Sequence, residues 1–162
     1  MITEPKLIHR EEQPFAAIQT TVAMNEISRA LPPLIPEVFE WLNKNGIERN
    51  GFPFFQYLSI DKEGKLLTAV GVPVKSQVQG NGRITSGSFP RGKYVSVIYN
   101  GDYKNIMEAH MALEKWIKES KEAKHENLDN KALGMRAEIY MTDPQKEPDT
   151  DKWQTEVIAL LV

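Results

Sequence analysis

The chain has no cysteine, which excludes disulfides, thiolate metal sites and a cysteine nucleophile in one step. No apolar run approaches the roughly 20 residues that a bilayer-spanning helix needs. Lys and Arg form no cluster and the formal net charge is −2, so neither a membrane nor direct nucleic-acid binding is expected. His9, His110 and His125 are scattered with no i, i+4 pair, and no metal site is expected from them. Gly80-Asn81-Gly82 lacks the lysine and the strand-before, helix-after setting of a phosphate loop. Nucleotide binding is therefore rejected, and no cofactor is expected. There is no G-x-S-x-G, and Ser96 has no evident histidine partner, which argues against a serine hydrolase. The first residues, Met-Ile-Thr-Glu-Pro-Lys, show neither a basic nor an apolar leader region, so a cytoplasmic location is the expectation.

What is present reads as one globular domain of 162 residues, 41% hydrophobic and 26% charged. Residues 1–12 are an arm or leading strand, and residues 15–22 (FAAIQTTV) a strand. Val38, Trp41 and Leu42 make an apolar stripe, with Pro36 in a first turn and Gly46 as a C′ glycine; this predicts a helix over about 33–45. Residues 54–61 and 66–74 form a hairpin around a Gly-containing turn. The Gly/Ser-rich segment 76–91 reads as a linker. Residues 93–99 (KYVSVIY) alternate as a strand, and Asp102 is a good N-cap. Ile106, Ala109, Leu113, Trp116 and Ile117 share one helical face, predicting a second helix to about Lys121. Trp41 and Trp116 occupy matching positions and are expected in the core. Lys115, Lys118, Lys121 and Lys124 read as a solvated face, and residues 121–131 as a charged loop. Residues 136–141 and 155–162 close the chain as a hairpin.

The expected fold is α+β: two βαββ repeats, about 6–75 and 92–162, related by a pseudo-twofold. Both main helices would cover one face of an antiparallel sheet and leave the other for a ligand cleft. FFQYLSID lines up with RAEIYMTDP and LLTAVGVPV with TEVIALLV, so Gln56 corresponds to Glu138 and Ala69 to Glu156.

Each strand of the terminal hairpin carries one glutamate among apolar neighbours, Glu138 and Glu156. A carboxylate in a strand that ought to be buried costs several kcal/mol unless it is compensated. Alternation puts Arg136, Glu138 and Tyr140 on one face and Ala137, Ile139 and Met141 on the other. The second set reads as the helix-covered core, which leaves Glu138 and Tyr140 on the open side. Phe55 and Tyr57 share a face, as do Tyr94 and Ser96. An acidic floor with aromatic walls suits a cationic ligand. The same pair suits general-base chemistry on water, with a tyrosine hydroxyl as proton donor. Solvent-facing glutamates, with Arg136 paired to Glu138, remain the plain alternative.

The order and spacing of PFAAIQTTV, LPPLIPEVFEWL, PFFQYLSID, VGVPV, SFPRGKYVSVIYNGDY, MEAHMALEKWI, AEIYMTDP and TEVIALLV resemble the GyrI-like domain. That domain also serves as the effector-binding half of AraC-type and MerR-type multidrug regulators. The resemblance spans about Lys6 to Val162. It implies an aromatic-lined pocket between the repeats, with a buried glutamate that receives hydrophobic or cationic compounds. In that pocket Glu138 is the matching glutamate, Glu156 a second acidic position and Tyr57 the aromatic of the first repeat; Phe55, Tyr94 and Tyr140 complete the expected lining. Some members are similar to hydrolases that open strained cyclopropane-bearing genotoxins, which implies catalytic roles for Glu138 and Tyr140. A third reading is binding of a protein partner such as DNA gyrase. Many members carry an acid before the VGVPV-like strand where this chain has Thr68-Ala69, so an acidic pocket leans on the second repeat. The regulators place a helix-turn-helix ahead of this module, and residues 1–32 are too short for one.

Overall fold

A computed structural model of the chain describes residues 1–120 and 135–161. The readings made for Lys121, Lys124, His125, the loop at 121–131 and Val162 lie outside those residues. The fold is α+β, with eight strands in antiparallel pairings and three α-helices among the described residues. In chain order these are β1 (Lys6–Arg10), β2 (Gln13–Ala23), α1 (Ile27–Ala30), α2 (Leu34–Lys44), β3 (Phe54–Ile60), β4 (Lys65–Pro73), β5 (Ile84–Phe89), β6 (Gly92–Asn100), α3 (Met107–Glu119), β7 (Arg136–Tyr140) and β8 (Gln154–Leu160). Two compact units result: Glu11–Arg91, and Met1–Arg10 together with Gly92–Val162.

Within Glu11–Arg91 the strands lie in the order β3-β4-β2-β5. Helix α2 buries Leu34, Val38 and Leu42, one residue per turn. It ends in a Schellman motif: Gly46 takes φ +66°, Ile47 N–H donates to the Leu42 carbonyl at 2.9 Å, and Gly46 N–H to that of Asn43 at 3.2 Å. Trp41 is not in the core as expected. It is half-buried, and its indole N–H donates to Asn81 Oδ1 at 2.8 Å, because an indole at a helix rim finds a polar partner more readily than full burial. Phe15, Phe54 and Phe89 pack with ring centroids 4.6–5.1 Å apart.

That packing explains β5, which runs through the segment read as a linker. Gly87 faces Phe15 across the strand pair, and a Cβ there would lie 2.4 Å from the phenyl ring. Glycine in this strand makes room for an aromatic ring rather than marking a turn.

The other unit repeats the plan in the order β7-β8-β6-β1. Helix α3 follows a 3-10 turn at Tyr103–Asn105, where Asp102 accepts from the Lys104 N–H as the N-cap. Ala109, Leu113 and Ile117 pack on Val95, Val97, Tyr99, Val157, Ala159 and Leu161, with Trp116 partly buried beside them. The N-terminal arm is paired along β6, with Leu7 opposite Val95. The leading strands are thus exchanged: β1 pairs with the first strand of the second repeat, and β5 with the first strand of the first.

Gly71 gives the packing its sharpest test. A methyl there would sit 2.6 Å from the Phe54 ring, 2.7 Å from the Ala16 carbonyl and 2.9 Å from the Ala17 Cβ. Backbone cannot yield as a flexible side chain does. Gly71→Ala is expected to lower stability by about 1–3 kcal/mol, measured as the shift in urea midpoint at unchanged m-value.

Candidate functional site

Cross-strand register decides which way the terminal glutamates point. Arg136 lies opposite Ala159, Glu138 opposite Val157 and Tyr140 opposite Thr155. Val157 and Ala159 belong to the core beneath α3, so Arg136, Glu138 and Tyr140 are on the helix side. The expectation of an open, helix-free side for them is corrected here. Glu156 lies opposite Ile139, on the other face. The register also corrects the repeat alignment: Gln56 lies opposite Ala69 while Glu138 lies opposite Val157. Thr68, not Ala69, is then the counterpart of Glu156.

Glu138 is 6% exposed. Tyr140 donates its hydroxyl to Oε1 at 2.6 Å, and His110 Nε2 lies 2.6 Å from Oε2. A buried carboxylate is tolerable when charge-assisted hydrogen bonds replace its water. One turn along α3, Glu114 pairs with Arg136 rather than leaving it to Glu138. Helix α3 therefore meets β7 through two polar rungs, flanking the apolar stripe that packs on β6 and β8. His110 was not among the candidate residues. The available signal was its place beside the stripe of a helix that must cover a glutamate-bearing strand.

Tyr140 also belongs to an aromatic cluster. Tyr103 packs edge-on against it with centroids 5.3 Å apart, and Trp153 lies 4.8 Å from Tyr103. The Trp153 indole N–H is held by the Glu147 carbonyl at 2.7 Å. Burial, with the Asp143 and Asp102 carboxylates nearby, pushes the Tyr103 phenol up to about 12. Thr155, fully buried, is the cross-strand neighbour of Tyr140, and its Oγ1 is the one buried side-chain N or O atom without a hydrogen-bond partner among the described residues.

On the opposite face of the same unit, Ser96 donates to Glu156 Oε2 at 2.6 Å and Arg10 to Oε1 at 3.3 Å. Tyr94 shares that face, fully buried. Burial pushes its phenol up, tempered by the Arg10 guanidinium. The expected site residues thus separate: Glu138 and Tyr140 are joined directly, whereas Glu156 and Tyr94 lie across the sheet from them. Phe55 and Tyr57 belong to the Glu11–Arg91 unit, opposite Val70 and Thr68. No group of three or more His, Asp or Glu suited to a metal occurs among the described residues.

No curated protein sequence matches the chain. In fold it is similar to the C-terminal domain of EcmrR, with a TM-score of 0.74 at 20% identity over 96% of this chain and 95% of that one. Against EcmrR in its complex with DNA the TM-score is 0.76 at 18% identity, over 99% of this chain, which spans only 58% of that protein's chain. It is also similar to a hydrolase encoded by lin2189 from Listeria innocua, with a TM-score of 0.62 at 16% identity over 98% and 92% of the two chains. SAV2435 bound to tetraphenylphosphonium gives 0.66 at 12% identity over 99% and 94%. The GyrI-like small molecule binding domain matches residues 3–161.

Two outcomes test the local chemistry. Thr155→Val removes an unsatisfied buried hydroxyl at nearly constant shape and is expected to raise stability by up to about 1 kcal/mol, seen as a higher Tm. Tyr103 stays protonated in the folded chain at pH values where the unfolded phenol ionises. Its contribution is therefore fully present below about pH 10 and is lost as pH rises towards about 12. Alkaline unfolding curves of Tyr103→Phe should lose less stability over that interval than wild type.

Proposed function

The chain belongs to the GyrI-like small molecule binding domain family, and on that premise we propose that it captures hydrophobic cations, with Glu138 as the charge partner and Tyr103, Tyr140 and Trp153 as the aromatic surface. The observation that carries this reading is a nearly buried carboxylate bonded to a tyrosine that is itself part of an aromatic cluster. A delocalised cation gains about 0.5–2 kcal/mol from an aromatic face, and being weakly hydrated it loses little on leaving water. That SAV2435 is seen with tetraphenylphosphonium makes this ion the natural first probe. Glu156, with Tyr94 on the opposite face, is a secondary acidic candidate.

A second reading is favoured by the contact between Glu138 and Tyr140. Glu138 takes a proton from a water that attacks a strained electrophilic ring such as a cyclopropane, while Tyr140 donates its proton to the opening ring. The 2.6 Å contact between them then returns the proton from Glu138 to Tyr140, and the product has gained one water.

Titration with tetraphenylphosphonium, followed by calorimetry, tests the first reading. Glu138→Gln should weaken binding roughly tenfold, the equivalent of about 1.4 kcal/mol. Unchanged affinity in that variant would remove Glu138 from the site. Incubation with strained-ring electrophiles and mass spectrometry tests the second: water-adduct products that vanish in Glu138→Gln are its expected signature.

A further inference from the structure

We propose that Thr155 is a specificity-determining contact of this site: its hydroxyl accepts a hydrogen bond from the ligand and so selects cations that carry an N–H, protonated amines and amidines, over fully substituted ones. The proposal rests on the reading of the aromatic cluster as a cation site and adds the class of cation that it takes.

Three observations carry it. Thr155 is fully buried, and its Oγ1 is the one buried side-chain N or O atom without a hydrogen-bond partner among the described residues. The other buried strand hydroxyls are paired, Thr68 with the Thr20 carbonyl and Ser96 with Glu156. A hydroxyl buried without a partner costs stability that a valine of nearly the same shape would keep, and a partner that arrives with the ligand gives the group its use. The second observation is its place. Thr155 lies opposite Tyr99 on β6 and Tyr140 on β7, and by alternation with Val157 and Ala159 it is on the helix side of the sheet. It thus sits between two tyrosines at the end of the sheet where the aromatic cluster gathers. Finally, that cluster can be entered. Tyr99 is fixed by the bond from its hydroxyl to the Asp102 carbonyl at 2.7 Å, whereas Tyr103 is half-buried in a 3-10 turn and packs ring to ring against Tyr140 and Trp153. An aromatic ligand can take the place of that ring, face for face, and offer its N–H to the hydroxyl beside Tyr140.

A hydrogen bond from a cationic N–H is charge-assisted and stronger than one from a neutral donor. Asp102 and Asp143 lie near Tyr103, which favours a cation at this end of the sheet. A quaternary ammonium or a phosphonium has no N–H and leaves the Thr155 hydroxyl unpaired, whereas a protonated amine pairs it. Aromatic faces alone attract the two kinds of cation nearly alike. A site that hydrogen-bonds its ligand discriminates against the analogue that lacks the group.

The experiment is calorimetric titration of the full chain near neutral pH with tetraphenylphosphonium, naphthylmethyl-trimethylammonium and protonated naphthylmethyl-dimethylamine. The last two differ by a methyl in place of the N–H. Wild type should bind the dimethyl cation about tenfold more tightly than the trimethyl one. In Thr155→Val the two should bind alike, and Thr155→Ser, which keeps the hydroxyl, should retain the preference. A preference that survives in Thr155→Val comes from size and overturns the proposal, as does its loss in Thr155→Ser. Binding of tetraphenylphosphonium by wild type, with no preference between the matched pair, overturns it while leaving the proposed function standing. Binding of none of the three cations overturns the two together. If Thr155→Val fails to fold by circular dichroism, Thr155→Ala decides: equal affinities support the hydroxyl contact, and a wild-type preference overturns it.

Discussion

A carboxylate beneath a helix is the constraint on which the second unit turns. At 6% exposure Glu138 must find its hydrogen bonds inside the protein, and it takes them from two directions, along its own strand from Tyr140 and across from α3 through His110. This dictates what α3 can carry. Ala109, Leu113 and Ile117 supply the apolar seat, while His110 and Glu114, one turn apart on the adjoining face, supply polar partners for β7. Helix packing here is apolar over two strands and ionic over the third.

The two units share one plan, and their differences are chemical. Where Glu138 lies opposite Val157, the first repeat has Gln56 opposite Ala69. Where Glu156 takes hydrogen bonds from Ser96 and Arg10, the first repeat has Thr68, whose hydroxyl is spent on the Thr20 carbonyl at 2.8 Å. The first repeat has instead a trio of phenylalanines fitted around Gly71 and Gly87. The strand glutamates are thus confined to one unit, whereas both carry aromatic packing, tyrosine and tryptophan in one and phenylalanine in the other. Exchange of the leading strands, β1 onto β6 and β5 onto β2, gives both units four strands from a three-stranded repeat.

Much of the fold was legible because its signals are local. Of the stripe Val38, Trp41 and Leu42, two residues are the buried ones of helix α2, and Gly46 marks its end, while the Asp102 cap marks the approach to α3. Strand β5 was not legible, since Gly87 is chosen by the ring of Phe15, a residue 72 positions away in sequence (87 − 15). The pairing of Lys6–Arg10 with β6 was hidden for the same reason. At the site, alternation placed Glu138 beside Tyr140 and apart from Ala137 and Ile139. It could not say which set α3 covers, and the apolar set was the wrong choice.

What the sequence alone determined is what covalent neighbours decide: the strand and helix order within each βαββ repeat, the sharing of faces within each strand, the absence of thiol chemistry, and the spacing that marks the family. Tertiary structure decided the register between strands and the side on which the helix lies. A one-residue difference in register turns a whole strand over, and so it separates Glu156 from Glu138 by the thickness of the sheet. It also brought His110 to a carboxylate 28 residues along the chain. Such a partnership has no local signature, because its stability comes from mutual burial of two groups that neither could leave unpaired.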